Sequence, residues 1–298
     1  MLQQDDSDSA AGVDKTQTAK SHFRLISWDE LLDWQRDNEY ILTSYRRASY
    51  SYIASLSSIF RIHNETVNIW SHLLGAGFFI YAMIKFWQSW QALSPLATAK
   101  DASFVSIYYL GVITCFVLST TFHVLLNHSP NMHRFGNQLD HLGIVVVMWG
   151  STIPSDYFGF YDEPVLMSSY LTLSTVAALG CGIFTMQPRF RTRAYRTRRV
   201  LTYFLLGASA IVPFIHAVYL HGWSRQNPKM SITNFMGLAL LNGTGAMIYG
   251  LRIPERWFPK RFDVIGASHQ IMHILVIGGA LSHLTGVLRA MQYRYQFN

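Results

Sequence analysis

Three histidines in apolar surroundings carry the first chemistry this sequence offers. His269 and His273 stand at i and i+4 in GASHQIMHILV, and His123 stands in TTFHVLLNHS. Residues four apart on a helix share one face, so these two imidazoles can reach a single ion, as on other zinc-binding helices. His123 offers a third nitrogen from a neighbouring helix. Three protein ligands plus water make the open arrangement of a catalytic zinc site, whereas a fourth protein ligand closes it into a structural one. Asp140, in GNQLDHLGI, either completes the shell directly or holds the water. Its expected position at a helix N-terminus favours its ionised form. Ser119 precedes His123 by one turn, and it either supports that histidine or bonds back to its own helix. The competing readings are a hydrogen-bonded pair of buried histidines and an aspartate that caps a helix.

A second polar group precedes the first apolar block. In HNETVNIWSHLLG, Glu65, Asn68 and His72 fall at i, i+3 and i+7, hence on one helix face. That face either meets the histidine end of the bundle or meets water, with Asn64 or Thr66 as the helix cap. The other histidines point less clearly to chemistry. His63, His128, His133 and His141 sit in or beside polar loops, where hydration is expected. His216 is expected to pack inside a span, and His283 lies ~280° around its helix from His273 and so faces elsewhere.

These side chains need a membrane scaffold to hold them. The chain has 298 residues, half of them hydrophobic and 14% charged, against roughly 25% charged in a soluble domain. Seven apolar blocks approach the ~20 residues that cross a bilayer. They are Asn68–Trp87, Phe104–Leu126, Leu139–Tyr157, Pro164–Met186, Val200–Leu220, Ile232–Leu251 and Ile265–Ala290. The expected fold is an all-α, seven-transmembrane helix bundle over residues 64–291. Ahead of it come a disordered tail at 1–20 and an interfacial region at 21–63; a short tail at 292–298 follows. Within the interfacial region, SWDELLDWQRDNEYI reads as an amphipathic helix with a capping box from Ser27 to Glu30, presenting Leu31, Leu32, Trp34 and Ile41. No secretory signal is read in the acidic, polar start. Cys115 and Cys181 fall in apolar blocks and are expected as buried free thiols.

Loop charge sets the expected orientation. QPRFRTRAYRTRR between blocks four and five, and Arg256, Lys260 and Arg261 between six and seven, concentrate the cations on one side. The positive-inside rule makes that side cytosolic. The N-terminus is then cytosolic and the C-terminus outside or lumenal. The net charge of +7 follows from these loops, so no nucleic-acid partner is needed. This topology puts His123, Asp140, His269 and His273 at cytosolic helix ends, each histidine within roughly 5–12 Å of the boundary. Ionisable groups in spans are costly and mark functional sites. Their shared depth was not an input to the topology, which came from loop arginines alone.

Three blocks give the chain a family likeness: HNETVNIWSHLLGA (63–76), STTFHVLLNHS with LDHLGI (119–144), and RIPERWFPKRFDVIGASHQIMHILV (252–276). In order and spacing they resemble the progestin and adiponectin receptor family, also called hemolysin III-related, over roughly residues 44–290. The short tail and basic loops resemble its fungal zinc-homeostasis branch. The resemblance implies zinc held by His123, His269 and His273, with Asp140 on the zinc-bound water and Ser119 nearby. It also implies a lipid-filled cavity and, for some members, slow ceramide hydrolysis. Other members are described as receptors for protein or steroid ligands. The expected function is therefore a zinc-dependent lipid amidase of the ceramidase type, or a signalling receptor with structural zinc. A pore or zinc carrier is the weaker third class, because polar residues gather at one depth. The expected partners are membrane lipids in the bundle (ceramide, fatty acid or a sterol-like ligand) and an extracellular ligand. The expected location is the plasma membrane or the endoplasmic reticulum, as a multi-pass protein.

Overall fold

The computed structural model describes residues 24–188 and 196–296. The expected tail at 1–20, the loop arginines Arg189, Arg191 and Arg193, and Asn298 lie outside the described residues. Ten α-helices are described: α1 (Tyr52–Ser57), α2 (Thr66–Leu93), α3 (Ala99–Leu125), α4 (Pro130–Gly159), α5 (Pro164–Met186), α6 (Arg196–Ser209), α7 (Val212–His221), α8 (Trp223–Met230), α9 (Ile232–Leu251) and α10 (Ser268–Tyr293). Five stretches are long and apolar enough to cross a membrane by themselves: α2, α3, α5, Leu201–His221 and α10. The amphipathic α4 and the glycine-rich α9 complete a seven-span path.

The fifth span departs from the expected continuous block. It breaks at Ala210 and Ile211, between α6 and α7, with Pro213 in the first turn of α7. Proline has no N–H and its ring clashes with the carbonyl four residues back, so a helix is interrupted there and restarts with proline near its N-terminus.

The helix of the third span also starts earlier than expected, at Pro130. Ser129 caps α4 by accepting from the Met132 N–H at 3.4 Å, and Pro130 takes the first helical position. Serine as cap with proline next is a strong start signal, but the polar stretch 131–138 hides it from a hydropathy reading. Asp140 thus lies ~15 Å inside the helix at 1.5 Å per residue. The expectation that it stands at a helix N-terminus falls, and with it the helix-dipole argument for its charge.

Small residues let the spans close on one another. A Cβ on Gly143 would stand 3.0 Å from the Cα of Cys115, and one on Gly111 3.3 Å from the Cα of Gly150. Without a hydrophobic drive between helices in lipid, such close approach is the main route to packing energy. The α3–α4 seam is therefore tight, and it fixes His123 and Asp140 on neighbouring helices. α10 lies centrally, touching α2, α3, α4, α8 and α9. Its Met291 is buried in one cluster with Phe79, Tyr108 and Phe116. Cys115 and Cys181 are free and buried.

The segment 27–41 is not an amphipathic helix. Two short 3-10 turns, Trp28–Glu30 and Asp33–Gln35, are separated by extended backbone at Leu31 and Leu32. The Ser27 N–H does donate to Glu30 Oε2, at 3.0 Å, but this stabilises one turn only. Asn38 accepts from the Tyr40 N–H at 3.1 Å, the turn by which asparagine competes with helix. A two-residue antiparallel pairing follows, β1 (Leu25–Ile26) with β2 (Tyr45–Arg46). Ile26, Leu31 and Ile41 are buried, while Leu32 is exposed. The segment and the two residues after it are strapped to the 252–267 loop: Asn38 Nδ2 donates to Glu255, and the Leu42 N–H and Thr43 Oγ1 donate to Asp263 at 3.2 and 2.6 Å.

Candidate metal centre

His269 and His273 lie in the first two turns of α10, and His123 lies near the end of α3. Tertiary packing brings all three together: their ring centroids are 4.9–5.0 Å apart in every pair. One nitrogen from each ring lies within 4.8 Å of the others. An ion bound at ~2.1 Å holds such nitrogens ~3.4 Å apart in tetrahedral geometry, so a shift of ~1 Å closes the set.

The hydrogen bonds leave the correct atoms free. His123 Nδ1 donates to Glu65 Oε2 at 2.8 Å, and its Nε2 is buried without a partner. The Ser71 hydroxyl donates to the Asn68 carbonyl at 3.1 Å, so its oxygen accepts from His273 Nδ1, also at 3.1 Å. With Nδ1 protonated, the remaining nitrogen of each ring carries the lone pair a metal requires. Metal-ligating histidines characteristically give their other N–H to a carboxylate or an oxygen acceptor. A buried imidazole nitrogen without a partner is costly, and a cation is the group that suits it here. These residues fit a metal ion.

Glu65 is held by more than His123. Asn68 Nδ2 donates to the same carboxylate at 2.7 Å. Burial pushes the Glu65 carboxyl up, but the bonds from His123 and Asn68 outweigh burial and hold it below the usual carboxylate range. His72 stacks on His273, centroids 3.8 Å apart at 11°, and on Phe116 at 4.5 Å. The polar face of Glu65, Asn68 and His72 therefore meets the histidine cluster rather than water. Neither Asn64 nor Thr66 caps α2. Its N-cap residue is Glu65, and Thr66 Oγ1 accepts from the His63 N–H.

A cavity of about 200 Å³ opens on the cluster, lined among others by Glu65, His123, Asp140, His269, Asp37 and Asp263. Asp140 is half-buried in its wall but lies outside the close group of three ligand nitrogens. Ser119 is buried on α3 one turn before His123. Sequence reasoning missed Ser71, although its position three residues after Asn68 was a readable signal. It also missed Arg46, whose guanidinium donates to the His123 and Val124 carbonyls at the end of α3. No local signal announces that contact.

Of the four histidines expected to be hydrated, one is buried, and His128, His133 and His141 stay partly exposed while each makes a specific contact. His63 is buried: its Nδ1 accepts from the Glu65 N–H, and its Nε2 meets the Ser58 carbonyl. Burial, with Arg46 adding to it, pushes the His63 pKa down to about 4. His128 stacks on Tyr52, His133 meets the Leu126 carbonyl, and His141 meets the Asn137 carbonyl. His216 packs against Tyr170, and His283 donates to the Ser151 carbonyl well along α10 from His273.

Membrane-length helices around a buried three-histidine cluster define a multi-pass integral membrane protein with a candidate metal centre near one end of its bundle. Residues 60–284 match the Haemolysin-III related family, and the chain belongs to that family. It is 34% identical over 270 residues to the ADIPOR-like receptor IZH2 of Saccharomyces cerevisiae, covering 90% of this chain and 84% of that one. It is 33% identical to the adiponectin receptor protein of Drosophila melanogaster, covering 94% of this chain and 62% of that longer one. It is 32% identical to the heptahelical transmembrane protein ADIPOR1 of rice, Oryza sativa subsp. japonica, covering 91% and 85%.

Proposed function

We propose that this protein holds one zinc ion through His123, His269 and His273 and hydrolyses the amide bond of a ceramide-like membrane lipid. The partnerless, buried His123 Nε2 beside two further imidazoles is the observation that carries this reading. All-histidine donors with a free coordination position suit zinc in its catalytic form. A zinc ion held there supplies Lewis-acid polarisation of the amide carbonyl and acidifies water.

The chain's own groups do the rest. Glu65 and Ser71 orient the imidazoles of His123 and His273. Asp140, in the wall of the same cavity, takes the proton from the attacking water and returns it to the leaving amine nitrogen as the C–N bond breaks. The products are a fatty acid and an amine. The apolar surfaces of α2, α3 and α10 suit a substrate that arrives from lipid. Product analysis of purified protein with defined ceramides, with and without zinc, tests this. Zinc-dependent release of fatty acid supports it, and turnover indifferent to zinc overturns it.

A second reading is a signalling receptor in which zinc is structural, favoured by relatives whose names include "receptor". The cluster then ties α3 to α10, and ligand binding shifts the bundle. The two readings are compatible in one molecule.

A further inference from the structure

Beside the metal-centre cavity, a second pocket of about 360 Å³ lies between the β1–β2 pairing, α1 and the 58–63 turn. Arg24, Arg46, Arg61 and His63 line it together with Ser49 and Ile62, and among the described residues no carboxylate does. Arg46 is buried, and its Nε has no hydrogen-bond partner. Arg24 pairs with Glu30 at 3.3 Å, but both side chains are largely exposed. A pair of that kind is worth little, and an anion can displace it.

The surface beside this pocket is unusually apolar. Ile53 is 80% exposed, Phe60 82% and Ile62 73%, with Leu56 also exposed. The patch lies at the depth where α2 begins: Trp70, in the second turn of α2, donates to the Ile59 carbonyl at 3.0 Å and meets Phe60 edge-on. Tryptophan and a short apolar helix at the start of a span mark the bilayer interface. A basic pocket at that level meets lipid phosphates, and basic residues near an anionic surface are drawn to it.

We propose that this pocket binds the phosphate headgroup of an anionic phospholipid in the leaflet at the metal-centre end. Arg24, Arg61 and Arg46 surround the phosphate, with donors suited to its oxygens. Ile53, Phe60 and Ile62 lie against the acyl chains. Arg46 also lines the metal-centre cavity and holds the last carbonyls of α3. An occupied headgroup pocket therefore steadies the helix end that carries His123.

The test uses full-length protein in detergent, titrated with dioctanoyl phosphatidic acid, dioctanoyl phosphatidylcholine or inorganic phosphate, reading melting temperature and calorimetric affinity. The phosphatidic acid should raise the melting temperature, and the phosphatidylcholine should not. The double variant Arg24→Gln/Arg61→Gln should bind phosphatidic acid at least ~10-fold more weakly, as expected when two charge-assisted contacts go. Its fold should be retained, as the helical circular-dichroism spectrum checks, because both residues lie on the exposed surface. Ile53→Ser/Phe60→Ser should weaken the lipid without creating phosphate binding. Binding by the arginine variant equal to wild type overturns the site. Equal binding of phosphatidylcholine overturns its anion selectivity, and equal affinity for inorganic phosphate overturns the lipid as its ligand.

Discussion

Glu65 and His123 stand 58 positions apart in the chain, yet the Glu65 carboxylate accepts the His123 Nδ1 proton at 2.8 Å. This contact joins the start of α2 to the end of α3. It sets the tautomer of His123, and so decides which nitrogen is left for a metal.

Changing Glu65 to Gln keeps the shape but removes the charge. Orienting partners of ligating histidines typically contribute 10–100-fold in metal affinity. We expect a loss in that range, with the helical circular-dichroism spectrum unchanged. Competition with a chelator of known affinity measures it, and unchanged affinity would show that the contact does not serve the metal.

His269→Ala combined with His273→Ala leaves one imidazole of three. Elemental analysis of the purified double variant should fall from about one zinc per chain to near none, since a single ligand does not hold zinc tightly. Wild-type protein should also melt higher with zinc than after chelation, because a bound ion stabilises the folded state by mass action. Unchanged zinc content in the variant removes the centre proposed here.

Asp140→Asn separates enzyme from receptor. Zinc should stay bound, because Asp140 lies outside the close group of nitrogens. Ceramide turnover should fall by roughly 10²–10⁴-fold, as when a general acid–base group is lost. Turnover per bound zinc equal to wild type would assign the proton transfers elsewhere.

Asp263→Ala should loosen the strap over the cavity. It removes the acceptor of the Leu42 N–H and of Thr43 Oγ1, and stranding partly buried donors costs about 1–3 kcal/mol. Hydrogen exchange at residues 38–46 should quicken while the helices stay protected. Unaltered exchange there would show that the strap is held by its other contacts.

The orientation rests on loop charge, so we expect an epitope at residues 189–199 to be cytosolic and one after Asn298 to be protected. Antibody access in selectively permeabilised cells reads this. A lumenal arginine loop would reverse the topology.

The sequence by itself determined the membrane class, because long apolar blocks with charge confined to loops have no soluble alternative. It also singled out the three histidines, since an i, i+4 pair fixes a helix face before any packing is known. The face of Glu65, Asn68 and His72 was legible for the same reason, but whether it met water or the cluster was not. Only the packing of α2 against α3 and α10 decided that, and it placed Ser71 behind His273. The start of α4 was misread because its polar first turns are helical outside the apolar window, and this moved Asp140 from a helix cap to a cavity wall. The 27–41 segment was misread because one capped turn looks like a whole helix locally, while Glu255, which holds its Asn38, lies more than two hundred residues away. Helix faces are written in local periodicity. Hydrogen bonds between distant segments exist only once the tight glycine-lined seams have brought those segments together.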